Sequence, residues 1–225
     1  MCSRENAQQI ISTFYEMCIR TFLIHVDLVE LPILSCLNIN GHVCSWTIIC
    51  LMLICSYLLQ SKSDTITAIE KLFIHVENQH NTVIKQFCSN QGGEITSKNF
   101  DELLSSKGIE RQTSALHIHQ QNGRAESLNN TILEKSKSMQ THTSCPQSWW
   151  EFSFQTAIHV YNSTPLRCTN WSTPFKNIFG RKPDVQCFET FGCLAWVYKP
   201  REIHKNKLDP RSEAVTFIAY DTGER

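Results

Sequence analysis

The pattern of apolar and polar positions predicts that strands and helices alternate along most of the chain. Asp27 lies in a segment where apolar residues alternate with polar ones, which indicates a strand. The apolar residues on one side of that segment are Ile24, Val26 and Leu28. Because strands and helices that follow one another in this way pack as mixed layers, the pattern predicts an α/β fold.

A helix and a strand are predicted in the next part of the chain. Residues 63–79 place their apolar side chains at helical spacing, and Ser63 or Asp64 is expected to cap the helix. Residues 82–89, with the sequence TVIKQFCS, have the short apolar character of a strand. The order helix then strand continues the α/β pattern.

Two further helices are predicted from their end signals. One begins at Thr96 or Ser97 and ends before Gly108, which suits the left-handed position that closes a helix. The other carries Glu126 in its first turn, and its buried stripe is expected to contain Leu128, Ile132 and Leu133. A polar loop precedes this second helix.

One uncharged run has two interpretations. Val43 to Leu59 contains seventeen residues without a formal charge, which is at the short end of the roughly 17–25 residues that span a bilayer. The alternative is two consecutive core strands, because the run is rich in residues that favour strands. We expect the strands, with Trp46, Ile48 and Leu51 among the buried residues.

Composition limits the classes of function. The chain has 225 residues, 41% of them apolar, which is enough to build a core. Its 21 basic and 21 acidic residues cancel, so nucleic-acid binding would have to come from local patches. The eleven cysteines lack the spacing of a structural zinc site, and the start of the sequence lacks a signal-peptide pattern, so free thiols are expected.

Several motifs resemble one known family. Residues 119–139, HQQNGRAESLNNTILEKSKSM, and residues 146–198 resemble the integrase region of copia-type (Ty1/copia) retrotransposon Pol polyproteins, especially those of fungi. The shared features include a tryptophan pair, a Y-N-S-T-P segment interpreted as a strand leading to a loop, a K-P-D turn and an F-G-C-L-A-x-V-Y strand. The resemblance begins near Phe22 and continues to the last residue.

This resemblance implies a fold and a domain order. The expected fold is a ribonuclease-H-like mixed sheet flanked by helices and followed by a truncated small β-barrel. The expected limits are a remnant segment at 1–20, a catalytic core at 21–175, a linker at 176–188 and the truncated barrel at 189–225.

The resemblance also implies a metal-dependent site. Integrases of this kind hold two Mg²⁺ (or Mn²⁺) ions between two aspartates and a glutamate, so that the metals activate the attacking oxygen and stabilise the leaving one. The corresponding positions here are Asp27, Asn90 and Glu126, with thirty-five residues between the last two, as the family leads one to expect. Asn90 supplies no charge where the family has an aspartate. We therefore expect Asp27 and Glu126 as the remaining metal ligands, weak or absent metal binding, and an inactive enzyme.

Three residues near this site are candidates for DNA contacts by resemblance: Asn122, Arg124 and Lys135. The simpler interpretation is that Asn122 forms part of a loop turn and that the two basic residues lie on a solvated helix face. Glu126 likewise has a simpler interpretation, because a carboxylate in the first turn stabilises a helix through its dipole.

The expected function is that of a catalytically inactive integrase fragment with DNA as its partner. The alternatives are a working DNA strand transferase that tolerates Asn90, a non-catalytic nucleic-acid-binding relic, and a membrane-anchored fragment that uses residues 43–59. The resemblance implies a nuclear location and leaves room for a homo-oligomer, while a membrane location is not expected.

Overall fold

Strands and helices alternate in the computed structural model, which describes residues 22–34, 40–48, 52–59, 61–80, 84–89, 97–113, 123–200, 202, 206 and 209–220. The strands are β1 (Phe22–Leu34), β2 (Asn40–Ile48), β3 (Leu53–Leu59), β4 (Ile84–Ser89), β5 (Glu110–Thr113), β6 (Leu194–Tyr198) and β7 (Ser212–Thr216). The helices are α1 (Thr65–His80), α2 (Lys98–Ser106), α3 (Gly123–Thr143), α4 (Trp150–Asn162) and α5 (Pro174–Phe179). The α/β fold class is confirmed.

Five strands form the main sheet in the order β3-β2-β1-β4-β5. The first three strands are antiparallel neighbours, while β4 pairs in parallel with both β1 and β5. A parallel connection needs a crossover, and α1 and α2 supply the crossovers to β4 and β5. This is the mixed sheet that the family resemblance implied.

The uncharged run forms strands, as expected. It contains the end of β2 and all of β3, and Met52 precedes β3 with a φ of 54°. Among the described residues, no helix combines the length and apolar character that a membrane span requires. Leu51 and the side chains of Trp46 and Ile48 lie outside the described residues, so their predicted burial stays a prediction.

The start of the first helical region differs from the prediction. Helix α1 begins at Thr65, directly after Asp64, but a 3-10 turn over Lys62–Asp64 comes before it, and Ser61 is the capping residue of that turn. The Ser61 backbone N–H donates to the Asp64 carboxylate at 3.0 Å. Asp64 is the third residue of the turn. Its side chain accepts from the backbone of the capping residue while the Ser61 side chain contacts the backbone of Asp64, which together form a capping box.

The end signals of α2 are confirmed. The Ser97 hydroxyl accepts from the Phe100 backbone N–H at 3.3 Å, and Gly108 has a φ of +67°. Phe100 and Leu104 of this helix are in the core. Capping residues therefore located both ends of this helix.

The Y-N-S-T-P segment is not a strand. Tyr161 and Asn162 are the last two residues of α4, and the chain leaves the helix at Ser163. The reason is the spacing of the buried apolar residues upstream, which matches a helix and not a strand. Those residues are Trp150, Phe154, Ala157, Ile158 and Tyr161. Packing against the sheet overrides the strand preference of the β-branched and aromatic residues near the helix end.

Side chains of β1 alternate between two apolar clusters. Ile24 and Val26 pack in the cluster that includes residues of α1 and α2. Val29 packs in the other cluster, with residues of α3 and α4. Because successive strand residues point to opposite faces, Asp27 belongs to the face covered by α3.

The C-terminal part of the described chain docks on α4. Strands β6 and β7 pair as an antiparallel hairpin, and within the described residues they do not close into a barrel. Tyr220 stacks on His159 with ring centroids 4.5 Å apart, and the Thr156 hydroxyl donates to the Ile218 carbonyl at 3.3 Å. Helix α5 spans the predicted boundary between 175 and 176, and the domain limits stay a prediction.

Candidate functional site

Asp27 lies in the middle of β1, in the centre of the sheet. It is buried and lies opposite Ser45 of β2. The preceding residue, Val26, is in register with Ser89, the last residue of the parallel strand β4. Asn90 is the next residue in the sequence, and it lies outside the described residues.

A hydrogen bond joins Asp27 to α3. The Asn129 side-chain N–H donates to Asp27 Oδ2 at 2.9 Å, and both residues are buried. A hydrogen bond to a carboxylate is among the stronger kinds in proteins, so it fixes the position of the Asp27 oxygen. Sequence reasoning did not identify Asn129. The signal that could have found it is its position three residues after Glu126, since helix residues at that spacing are neighbours.

Glu126 lies in the first turn of α3 and is exposed. Residues of α3 contact β1, so the helix that carries Glu126 crosses the strand that carries Asp27. The N-terminal end of a helix favours a carboxylate, so the simpler role of Glu126 is also satisfied by this position. Asp27 is thus on the face of the sheet that α3 covers, and Asn129, three residues after Glu126, contacts it.

The candidate DNA contacts are only partly described. Lys135 is exposed on α3, together with Lys137, in agreement with a solvated helix face. It lies nine residues after Glu126, or about 14 Å along the helix axis. Arg124 is in the first turn of α3, but its side chain lies outside the described residues, as does Asn122 as a whole.

The donor set does not fit the two-ion site that the resemblance implies. Mg²⁺ prefers charged oxygen ligands, and two carboxylates with one neutral amide supply one charge fewer than two aspartates and a glutamate. In the part of the chain that the structure describes, no group of three or more His, Cys, Asp or Glu side chains is placed to hold a metal ion.

The described groups with a shifted pKa lie on β4, on α4 and at Tyr220. Burial raises the pKa of the Cys88 thiol, and it raises the pKa of Tyr161 to about 12, with a smaller contribution from Cys168. Burial lowers the pKa of His159. These groups remain in their usual neutral forms near pH 7, which suits a packed core.

The sequence is similar to parts of several curated proteins, although no protein-family model matches it. It is 32% identical over 168 residues to the retrovirus-related Pol polyprotein from transposon TNT 1-94 of Nicotiana tabacum, which covers 75% of this chain and 13% of that protein. It is 30% identical over 167 residues to the corresponding polyprotein from transposon RE2 of Arabidopsis thaliana, which covers 73% of this chain and 11% of that protein.

The fold is similar to a solved structure. The crystal structure of the catalytic core domain of BIV integrase superposes with a TM-score of 0.52 at 13% identity, covering 71% of this chain and 95% of that one. The chain spans only about an eighth of the first polyprotein and a similar share of the second. By its sequence the chain is related to a segment of the Pol polyproteins of copia-type retrotransposons, and its fold is that of an integrase catalytic core.

Proposed function

We propose that this chain is a retrotransposon integrase fragment that has lost DNA strand transfer and retains a weak, non-catalytic association with DNA. The observation that carries the proposal is the asparagine at position 90, the residue that follows β4 in the sequence, because β4 pairs in parallel with the strand that carries Asp27. An integrase needs a charged ligand at that place to hold its metal ions. We infer DNA integration as the ancestral activity only from the resemblance to integrases.

The missing charge has a large energetic effect. Two unit charges about 4 Å apart interact by roughly 4 kcal/mol at an effective dielectric constant of 20. A divalent ion doubles the charge on one side of that interaction. Since about 1.4 kcal/mol corresponds to a tenfold change in an equilibrium constant, metal occupancy should fall by several orders of magnitude.

The packing around Asp27 supports a fold that stays stable when catalysis is lost. Asn129 holds Asp27 through a direct hydrogen bond, and apolar clusters cover both faces of the sheet. None of these contacts needs a metal ion. The fold can therefore remain while catalysis is lost.

The first experiment measures catalysis. The purified chain is incubated with a labelled duplex and Mg²⁺ or Mn²⁺, and nicking and strand transfer are measured beside the Glu126→Ala variant. We expect both proteins to remain at background. Metal-dependent cleavage by the parent that disappears in Glu126→Ala would contradict the proposal and favour the working enzyme.

The second experiment measures DNA association. Binding of duplex DNA should be weak and should decrease as salt increases, because phosphate contacts release counterions. Lys135→Gln should weaken it further, because Lys135 is exposed on α3. The matched control is Lys71→Gln, which removes the same charge from an exposed position of α1 on the opposite face of the sheet. Equal effects of the two variants would contradict a specific role for the α3 face.

A further inference from the structure

An exposed loop and the short helix after it combine aromatic rings with positive charge. We call residues 166–182 the basic aromatic surface. It consists of a closed loop from Leu166 to Ser172, the helix α5 and the two basic residues that follow it. Neither the candidate metal site nor the candidate DNA contacts on α3 include any of these residues.

Hydrogen bonds at its base hold the loop in one shape. The Leu166 backbone N–H donates to the Ser172 carbonyl at 3.1 Å, and the Trp171 N–H donates to the Leu166 carbonyl at 2.9 Å. The buried Thr169 hydroxyl contacts the same two carbonyls, at 3.0 Å for Leu166 and 2.6 Å for Ser172. The loop is thus closed by its own backbone and one side chain.

The loop presents a tryptophan to solvent. Trp171 is 70% exposed, the largest exposure among the described large apolar side chains, and its φ is +60°. Asn170 before it also has a positive φ, of 53°. A bulky residue rarely adopts this conformation, and it persists only where surrounding contacts fix it. The exposed position of the indole is therefore built into the loop.

The charge of this region is one-sided, unlike that of the whole chain. From residue 152 to residue 183 the sequence contains no Asp or Glu. The four basic residues of the surface are exposed, and none forms a salt bridge with a described residue: Arg167, Lys176, Arg181 and Lys182. A local excess of positive charge beside exposed aromatic rings complements a polyanion that carries flat rings.

The rings of α5 extend the aromatic character of the loop. Phe175 and Phe179 have ring centroids 4.5 Å apart, and the Arg181 guanidinium lies 5.5 Å from the Phe175 centroid. Phe179 is 45% exposed. An arginine held over a ring in this way presents a flat cationic plane on which an unpaired base can also stack.

We propose that the basic aromatic surface is a binding site for single-stranded DNA, in which Trp171 stacks on an unpaired base and the four cations contact the phosphates. Duplex DNA is the poorer ligand, because its bases are already stacked and offer Trp171 no free ring face. An acidic polypeptide satisfies the cations but leaves the indole exposed. Stacking and phosphate contacts do not involve the sugar, so the 2′-hydroxyl of RNA should not increase the affinity above that of single-stranded DNA.

This surface is separate from the candidate metal site. Helix α5 contacts β3, the edge strand of the sheet, and β3 is two strands away from β1 and Asp27. The proposal therefore stands or fails independently of the integrase chemistry. Lys135→Gln tests the α3 face, and substitutions in residues 166–182 test the basic aromatic surface.

The experiment measures binding of a fluorescent twelve-nucleotide oligo(dT) to the full chain by anisotropy. Trp171→Ala should weaken binding about tenfold, because base stacking on an aromatic side chain contributes that much. The matched control is Trp196→Ala, which removes an equally large side chain that is 66% exposed on β6, and it should leave binding unchanged. Equal loss in both variants, or no loss in Trp171→Ala, would overturn the proposal.

Salt dependence and competing ligands complete the test. The double variant Arg167→Gln/Arg181→Gln should reduce the salt slope of binding by about 1.4, since each phosphate contact to a single strand contributes about 0.7. Thermal melting checks that each variant is folded, and exposed side chains such as these should not change it. Tighter binding of the matching duplex, of oligo(rU), of polyglutamate or of anionic lipid vesicles than of oligo(dT) would overturn the assignment to single-stranded DNA.

Discussion

Helices α3 and α4 lie side by side on the same face of the sheet, yet their polar side chains have different partners. Each helix directs an asparagine at the sheet. Asn129 of α3 donates to the Asp27 carboxylate, whereas Asn162 of α4 bonds to the backbone of Ile54, accepting from its N–H at 3.1 Å and donating to its carbonyl at 2.7 Å. Asn129 positions a side chain of the candidate site, and Asn162 satisfies backbone groups of an edge strand.

The different partners of the two asparagines indicate that α3 contributes to the candidate site and α4 to the fold. In the antiparallel register, Ile54 of β3 lies opposite Thr47, and its N–H and carbonyl point to the open edge of the sheet. Asn162 satisfies both groups and covers that edge, which natural sheets protect against pairing with other chains. Helix α4 also carries the C-terminal segment through Thr156 and His159. We infer that α4 organises the fold, while α3 positions the Asp27 side chain of the candidate site.

The largest effect is expected from Asn162→Ala. The substitution leaves the N–H and carbonyl of Ile54 without their side-chain partner in a partly buried position. Each lost group costs about 1–2 kcal/mol, so the free energy of unfolding should fall by about 2–4 kcal/mol in a urea titration. Asn162→Asp keeps the acceptor but loses the donor, so it should also destabilise the protein. A change below about 0.5 kcal/mol, as for an ordinary surface substitution, would contradict the structural role.

Asn129→Ala should have a smaller effect on stability. It removes one hydrogen bond to a carboxylate, which corresponds to about 1–2 kcal/mol of unfolding free energy. The control is Asn130→Ala, because Asn130 is the neighbouring asparagine on α3 and is exposed. A loss from Asn129→Ala that exceeds the loss from Asn162→Ala would reverse the comparison between the two helices.

The smallest effect on stability is expected from the titration of His159 on α4. Burial lowers the pKa of His159 below its ordinary value of 6.5, so the unfolded chain takes up a proton at a higher pH than the folded chain. Stability from this residue is complete above pH 6.5 and decreases as the pH falls below that value. His159→Phe keeps a ring against Tyr220 and removes the titration. The stability advantage of the variant should therefore grow between pH 7 and pH 5, and a pH-independent difference would contradict this assignment.

Local signals in the sequence predicted most of the fold. The spacing around β4, the cap residues Ser97 and Gly108, and the position of Glu126 in the first turn of α3 are all confirmed. The Y-N-S-T-P segment was assigned wrongly because a short run of β-branched and aromatic residues does not reveal the packing that makes it helical. The cap at Ser61 was missed because a 3-10 turn over Lys62–Asp64 comes before the predicted helix.

The candidate site was less predictable than the fold. The sequence indicated Asp27 and Glu126, and the structure places both on elements that meet. Asn129 and Asn162 were missed. The spacing of Asn129 from Glu126 indicates a shared helix face but not a partner, and the sequence around Asn162 does not indicate that its partner is a backbone group. Both contacts join residues more than a hundred positions apart, and only the tertiary fold brings them together.

The central claim is that the scaffold of the site persists and that one missing charge prevents metal binding. The direct measurement is the melting temperature of the parent and of Asn90→Asp, each with and without Mg²⁺ or Mn²⁺. A bound cation relieves the repulsion among the three carboxylates of the variant, so metal should raise the melting temperature of the variant. At a metal concentration of a hundred times the dissociation constant, the added stability is about 2.7 kcal/mol. The parent should not respond. A parent that responds as strongly as the variant, or a variant that does not respond at all, would contradict the claim.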